Sequence, residues 1–494
     1  MTCVGSEPVG VDMAALGHSW IDGCAHPSGG PRLSHVDPKN GECSGQTDDA
    51  RDAVVEAAVH SARDGFVRWT TLASPERQRI LLAFADRIEA QAHAIAALEA
   101  LEVGRPIADA TAVVMAGAAF LRSQAMLAEF IGGDLVGADD QRLSLVWRKP
   151  RGVVLAITPW NVPISNVLSR AAPALAAGNA VIVKPSENCP RSAVLLAKIA
   201  SDAGMPAGVF NIVLGDGQHT GALLSAHAGI DMVAFTGSTT TGREIIRMAA
   251  SQSLKPVLLE CGGKSPSVIL EDVCGVDALW RALFRSAFWN TGQLCVARTR
   301  LMVPRGRMNE AIDGLTRAAA DWPCGDPSHP ATRLGPLASP RQFSTVMGLV
   351  EEARAVGELI ELPCPDSGRL AAGSFLLPQL ALGVPHSSAV WREEIFGPVA
   401  VLQPYDDVSE AIALANDTRY GLAATVWTNS ARDGYRLARS IEAGIVEICA
   451  SGESAAGWST LQYFEPFKQS GLGVDGGLQG LNAYTLAQSV SFSH

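Results

Sequence analysis

The chain carries little charge and few aromatic residues for its length. Of 494 residues, 18% are charged and 6% aromatic, and Asp plus Glu (50) outnumber Lys plus Arg (39), for a formal net charge of −11. Nucleic acids and anionic membrane surfaces are bound through basic patches, so the sequence predicts neither as a partner. No run of 18 or more uncharged apolar residues occurs, so no membrane-spanning helix is expected. Met1 to Gly30 is polar and rich in Gly and Pro, without the basic start and apolar core of a signal peptide. The ten cysteines show neither CxxC nor a zinc-type Cys/His spacing. That pattern argues against a disulfide framework and against a metal site. Reduced cysteines and no targeting signal predict a cytoplasmic protein.

What is present is a long, moderately apolar chain, 47% hydrophobic, with enough material for two or three domains and their cores. The first ~45 residues read as loosely structured. Ala53 to Phe66, Pro75 to Glu102 and Ile107 to Ile131 carry apolar residues at three- and four-residue spacing, which predicts helices, with Ser74 as an N-cap. From Gly152 to Cys261 short β-rich apolar runs alternate with helical stretches. The runs are Val153 to Thr158, Ala180 to Lys184, Val209 to Leu214, Met232 to Thr236 and Pro256 to Glu260. Such alternation predicts a parallel sheet flanked by helices, with ligands at the carboxyl ends of its strands. No GxGxxG follows the first strand, so the domain is Rossmann-like with a different dinucleotide grip. After Glu260 the pattern restarts: a helix from Val276 to Trp289, a helix from Asn309 to Trp322, strands near Phe375 to Leu377 and Val399 to Pro404, and a strand Ala423 to Trp427 between helices. Leu143 to Arg148 and Ala487 to Phe492 alternate apolar and polar residues, as exposed-edge strands do.

Two glycine-bearing segments stand out chemically. Leu259 to Pro266 (Leu-Glu-Cys-Gly-Gly-Lys-Ser-Pro) holds the carboxylate Glu260, and Asn290 to Arg298 (Asn-Thr-Gly-Gln-Leu-Cys-Val-Ala-Arg) holds the thiol Cys295. A thiol attacks a carbonyl as thiolate, and a nearby carboxylate can activate the water that later breaks a thioester.

Both segments resemble the glutamate and cysteine signatures of the aldehyde dehydrogenase superfamily. The likeness continues through Thr158 to Pro163, Lys184 to Glu187, Phe235 to Ser238, Glu393 to Val399 and Asn416 to Leu422, seven blocks in order. The resemblance implies an NAD-binding domain over 1–128 and 150–259, a catalytic domain over 260–465, and an oligomerisation flap with the C-terminal segment over 129–149 and 466–494. It implies Cys295 as nucleophile, Glu260 as general base and Asn161 as oxyanion donor. Trp160, Gly237 and Ser238 would face the cofactor's pyrophosphate, with Thr158 and Pro159 as further cofactor contacts. Lys184 and Glu187 would hold the adenosine ribose, with Ser186 a further cofactor contact, and Gln342, Glu394 and Phe396 the nicotinamide ribose. Glu187 would repel a 2′-phosphate, so NAD is favoured over NADP. A homodimer or homotetramer acting on a small-molecule aldehyde is the implied assembly.

The chain also departs from the family's pattern. Leu294 precedes the nucleophile, and the spacing from Glu260 to Cys295 is one residue long, an excess assigned to Val273 to Val276. Glu447 and Cys449 occupy unusual positions in the segment Gly444 to Cys449. Val474-Asp475 stand where Arg-Glu is common, and Leu478 is taken to replace a second glutamate. Asn166 and Ser169 fall where Met and Trp often narrow the tunnel. These changes predict a bulky, hydrophobic or aromatic aldehyde, with Trp289, Trp458 and Phe467 as possible walls. The alternatives are a semialdehyde dehydrogenase recognising a carboxylate through Arg170 or Arg285, and a catalytically weak binding member. A CoA-acylating enzyme is disfavoured by the presence of Glu260.

Overall fold

A computed structural model describes residues 13, 15–138, 141–273, 277–369, 371–450 and 461–493. Two large sheets organise it. The first has eight strands in the order Cys24–His26, Ser19–Ile21, Phe210–Ile212, Ala180–Pro185, Val153–Thr158, Met232–Thr236, Val257–Glu260, Gly471–Leu472. The five middle strands run parallel, and antiparallel strands close both edges. These are the apolar runs read from the sequence, and burial on both faces explains why they are continuous rather than alternating. Val154, Leu155, Val181, Ile182, Val233 and Ala234 are all inaccessible to solvent. The chain moves outward in one direction from Val153–Thr158 through Ala180–Pro185 to Phe210–Ile212, then returns to the other side at Met232–Thr236. The switch point therefore lies between the ends Thr158 and Thr236, where a doubly wound sheet opens a ligand crevice.

The second sheet has seven strands in the order Glu358–Glu361, Gln379–Leu382, Val399–Tyr405, Arg300–Pro304, Pro266–Ile269, Ala423–Trp427, Ile445–Cys449, all parallel except the first. The chain passes from the carboxyl end of the first sheet, at Glu260, to the amino end of the second, at Pro266, in five residues. Facing ends of the two sheets thus enclose one region.

Several expectations are corrected. The predicted helix Pro75 to Glu102 is two, Ser74–Ala90 and Ala92–Val103, broken at Gln91. Its first residue is Ser74 itself, behind an extended Ala73. No strand forms over 375–377; Pro378 follows, and pairing starts at Gln379. The early segment is more regular than expected, with a hairpin of Arg32–Val36 on Cys43–Asp48. Leu143 to Arg148 is not an edge: Arg142–Pro150 lies between Asp134–Ala138 and Thr485–Ser493, pairing with both inside the one chain. Among the described residues one segment, Ile107–Phe130, is long and apolar enough to cross a membrane by length and composition. Its helix is a core helix, with Val114, Ala118, Leu121 and Ala125 fully buried in the hydrophobic cluster that also holds Phe84 and Ile164. Among the described residues seven cysteines are free, whereas Cys43 is disulfide-bonded.

Candidate active site

The region between the sheet ends contains a cavity of about 240 Å³. Ten of the fourteen residues singled out in the sequence line it: Pro159, Trp160, Asn161, Gly237, Ser238, Glu260, Cys295, Gln342, Glu394 and Phe396. Thr158 is buried at the end of its strand with Oγ1 unpartnered. Lys184, Ser186 and Glu187 sit one strand along, at the carboxyl end of Ala180–Pro185, where Lys184 Nζ lies 3.4 Å from Glu187 Oε2. Asn166, Thr236, Cys261 and Gly262 complete the lining.

Each wall has a local cause. The helix Thr239–Gln252 begins directly after the strand Met232–Thr236, and Ser238 caps it by accepting from the Thr241 N–H at 3.1 Å. Free N–H groups and the positive end of the helix dipole therefore face the cavity. Glycine is required opposite: a Cβ on Gly262 would lie 2.2 Å from Glu394 Oε2, and one on Gly263 would lie 2.4 Å from the Cys295 carbonyl. The close approach lets the Gly263 N–H donate to Glu394 Oε1 at 3.0 Å. Gln342 Nε2 donates to the Phe396 carbonyl at 2.9 Å, and the Phe396 ring meets Trp160 edge-on at 5.3 Å.

Cys295 follows a strained loop. Asn290 and Thr291 have φ of 55° and 58°, a conformation costly for a β-branched threonine. Hydrogen bonds hold it there. Asn290 Nδ2 donates to the Asn161 carbonyl (2.9 Å) and to the Gln293 carbonyl (3.3 Å), and Arg105 Nε donates to Asn290 Oδ1 (3.3 Å). Asn161 Nδ2 donates to the Gln293 carbonyl at 3.0 Å. The backbone N–H groups of Val296 and Cys295 favour the thiolate, against the larger effect of burial.

Electrostatically the site is acidic. Burial, followed by the carboxylates of Glu260 and Glu394, pushes the Cys295 thiol up to about 12. Burial, then Asp475, raises Glu260 well above the ordinary carboxylate range, against the lowering pull of Arg170. Glu394 is pushed up to about 7 by burial.

Four features were not anticipated. Arg170 is buried and paired with Asp475, so it presents no free cation to a substrate carboxylate. Arg285 is exposed on its helix. The second carboxylate acting on Glu260 is Asp475. Glu447 is explained by Arg298: Arg298 Nη2 donates to it at 2.8 Å while Nη1 donates to the Val296 carbonyl at 2.7 Å, bracing the chain just after Cys295. Of the suggested tunnel walls, Trp289 packs under Arg105, Phe467 lies half exposed in a short strand, and Trp458 is outside the described residues.

The model of the aldehyde dehydrogenase family matches residues 25–490. The chain belongs to the aldehyde dehydrogenase family. It is an oxidoreductase acting on the aldehyde group. Aminoacetaldehyde dehydrogenase of Pseudomonas aeruginosa is 39% identical over 461 residues, covering 92% of this chain and 91% of that protein. The solved gamma-glutamyl-gamma-aminobutyraldehyde dehydrogenase of Burkholderia cenocepacia superposes with a TM-score of 0.92 at 36% identity, covering 97% of each chain. An indole-3-acetaldehyde dehydrogenase of P. syringae, solved with NAD+ and IAA, gives a TM-score of 0.92 at 32% identity over 97% of each chain.

Proposed function

We propose that this enzyme oxidises a bulky, uncharged aldehyde to the carboxylic acid with NAD, through a covalent intermediate on Cys295. The observation that carries the reading is the sharing of one cavity by the Cys295 thiol, the buried Glu260 carboxylate and the Asn161 amide. Cys295 loses its thiol proton to solvent, Sγ attacks the aldehyde carbon as the thiolate, and the carbonyl oxygen becomes an oxyanion received by Asn161 Nδ2 and the Cys295 N–H. Preorganised donors of this kind are typically worth about 3–4 kcal/mol each. Bound NAD would supply the hydride acceptor that converts the adduct into a thioester. Glu260, its pKa raised by burial, then takes a proton from the water that releases the acid.

The cofactor fits the residues present. Unpartnered, buried Thr158 Oγ1 and Thr236 Oγ1 mark the switch point, the helix end at Gly237-Ser238 suits a pyrophosphate, and Lys184 with Glu187 suits ribose hydroxyls. Glu394, Phe396 and Gln342 would hold the nicotinamide ribose. The domain division is the one set out from the sequence: 1–128 with 150–259 for NAD, 260–465 for catalysis, and 129–149 with 466–494 for the flap.

Asn166 and Ser169 support room for a bulky substrate. Among the described residues no Arg or Lys lines the cavity, which disfavours a carboxylate-bearing semialdehyde. The same observation, with the 39% identical relative, favours an amino-aldehyde as the second reading. A homodimer or homotetramer is proposed through the three-stranded flap, where Leu135 and Val136 are 65% and 66% exposed. A cytoplasmic location rests on the free cysteines, with Cys43 the exception.

The test is NADH formation at 340 nm with NAD and with NADP, over aromatic, aliphatic, amino- and carboxylate-bearing aldehydes, beside Cys295→Ala. Turnover of bulky uncharged aldehydes with NAD, lost in Cys295→Ala, is expected. Activity confined to amino-aldehydes selects the second reading, and activity confined to semialdehydes overturns both.

A further inference from the structure

Oxyanion catalysis at this site depends on which end of the Asn161 amide faces the reacting carbon. An amide torsion is broad and nearly two-fold, so Asn161 could present its nitrogen, a donor, or its oxygen, which would repel an oxyanion. Three contacts decide the matter. Asn161 Nδ2 lies 3.0 Å from the Gln293 carbonyl, which can only accept, so the nitrogen is the end turned toward the Cys295 loop. The oxygen, Asn161 Oδ1, is then turned to the helix Pro163–Ala176, where Asn166 Nδ2 donates to it at 3.0 Å. The Asn161 carbonyl is held separately by Asn290. Asn166 is five residues beyond Asn161, in the first turn and a half of that helix, and its own position is fixed by a backbone bond from its N–H to the Val162 carbonyl at 2.9 Å. It lines the cavity beside Asn161.

We propose that Asn166 is a positioning residue, whose side-chain N–H holds the Asn161 amide with its nitrogen toward the developing oxyanion. The inference rests on the proposed role of Asn161. A side chain lacking a donor at position 166 leaves Asn161 Oδ1 without its partner. An acidic side chain does more, because it repels Oδ1 and attracts the Nδ2 end, turning the donor away from the reacting oxygen. Asn166→Asp is nearly isosteric and Asn166→Leu is a similar-sized apolar replacement, so orientation and bulk make opposite predictions about which variant suffers more.

The experiment compares kcat/KM for one aldehyde across wild type, Asn161→Ala, Asn166→Asp, Asn166→Leu and Asn161→Ala/Asn166→Asp, with NAD affinity and thermal midpoint measured on each. Loss of one such donor costs on the order of 10²–10³ in kcat. Asn161→Ala is expected to fall by about that factor, Asn166→Asp by more than tenfold, and Asn166→Leu by less than Asn166→Asp. NAD affinity should not move. The double variant should be no worse than Asn161→Ala within about threefold, because effects acting through one group are not additive. The proposal is overturned if Asn166→Asp is as active as Asn166→Leu, or if the double variant falls by the product of the single losses, since either result means Asn166 acts on bulk or on the field at Cys295. Should Asn166→Asp fold poorly by its thermal midpoint, Asn166→Leu alone and on the Asn161→Ala background carries the same test. Wild-type kcat/KM in Asn161→Ala would instead refute the role of Asn161 itself.

Discussion

Replacing Asp475 by Asn tests what sets the charge of Glu260. Asp475 pairs with Arg170, whose side chain is 4% exposed, and both charges act on the buried Glu260: Asp475 raises its pKa and Arg170 lowers it. An asparagine keeps an acceptor oxygen for the guanidinium but removes the negative charge, leaving Arg170 to act on Glu260 alone. At an effective dielectric near 20, a unit charge acting on a buried carboxylate across several ångströms is worth on the order of 2 kcal/mol, more than one pKa unit. The pKa of Glu260 should therefore fall by about that much. A general base works only when ionised, so the acid limb of the pH profile for acyl-enzyme hydrolysis should move to lower pH by at least one unit. Its plateau should drop by a few-fold, because a weaker base removes the water's proton less readily. Rapid-quench measurement of hydrolysis after the NADH burst, from pH 5 to 9, gives the profile directly. An acid limb that stays in place, or moves upward, with NAD affinity intact would refute the reasoning.

Three further outcomes are expected. Gly262→Ala places a methyl against Glu394 Oε2; titration of NAD should show affinity weakened more than tenfold, whereas unchanged binding would remove Glu394 from the cofactor site. Glu447→Leu removes the carboxylate partner of Arg298, 8% exposed at its side chain, while its bonds to the Val296 carbonyl and Thr425 Oγ1 remain; the loss should cost about 1–3 kcal/mol, and Arg298→Met on the same chain should recover most of it in denaturant titrations. Burial holds the pKa of Glu260 above its unfolded value of 4.5, so the stability of its protonated form is present below that pH and is lost as pH climbs through the folded value. Glu260→Gln should thus match wild type in thermal midpoint near pH 4 and exceed it increasingly toward pH 9; a constant offset would mean Glu260 does not titrate with folding.

How much of this was legible in the chain depends on distance along it. The parallel strands were readable because burial on both faces leaves continuous apolar runs, and Val153–Thr158 and Met232–Thr236 fall where those runs do. The catalytic candidates were named through the family resemblance of their short motifs, and Cys295, Glu260 and Asn161 line one cavity. Partnerships between distant residues were not readable. Arg170 and Asp475 are 305 positions apart, and Arg298 and Glu447 are 149 apart, so nothing in either neighbourhood announces the pair. Arg170 looked like an anion receptor and Glu447 like an anomaly for that reason. The flap was misjudged in one respect: alternation identifies a half-buried strand but not its place in a sheet, and Arg142–Pro150 proved central. The break at Gln91 was hidden because apolar spacing continues across it.

The central claim, covalent catalysis by Cys295 with hydrolysis driven by Glu260, is tested most directly by intact-mass and peptide analysis of Glu260→Gln after incubation with NAD and a turned-over aldehyde. The account predicts a burst of NADH close to one per chain and an acyl adduct on the Cys295 peptide that persists. Steady turnover without an adduct, or an adduct on another residue, would contradict it.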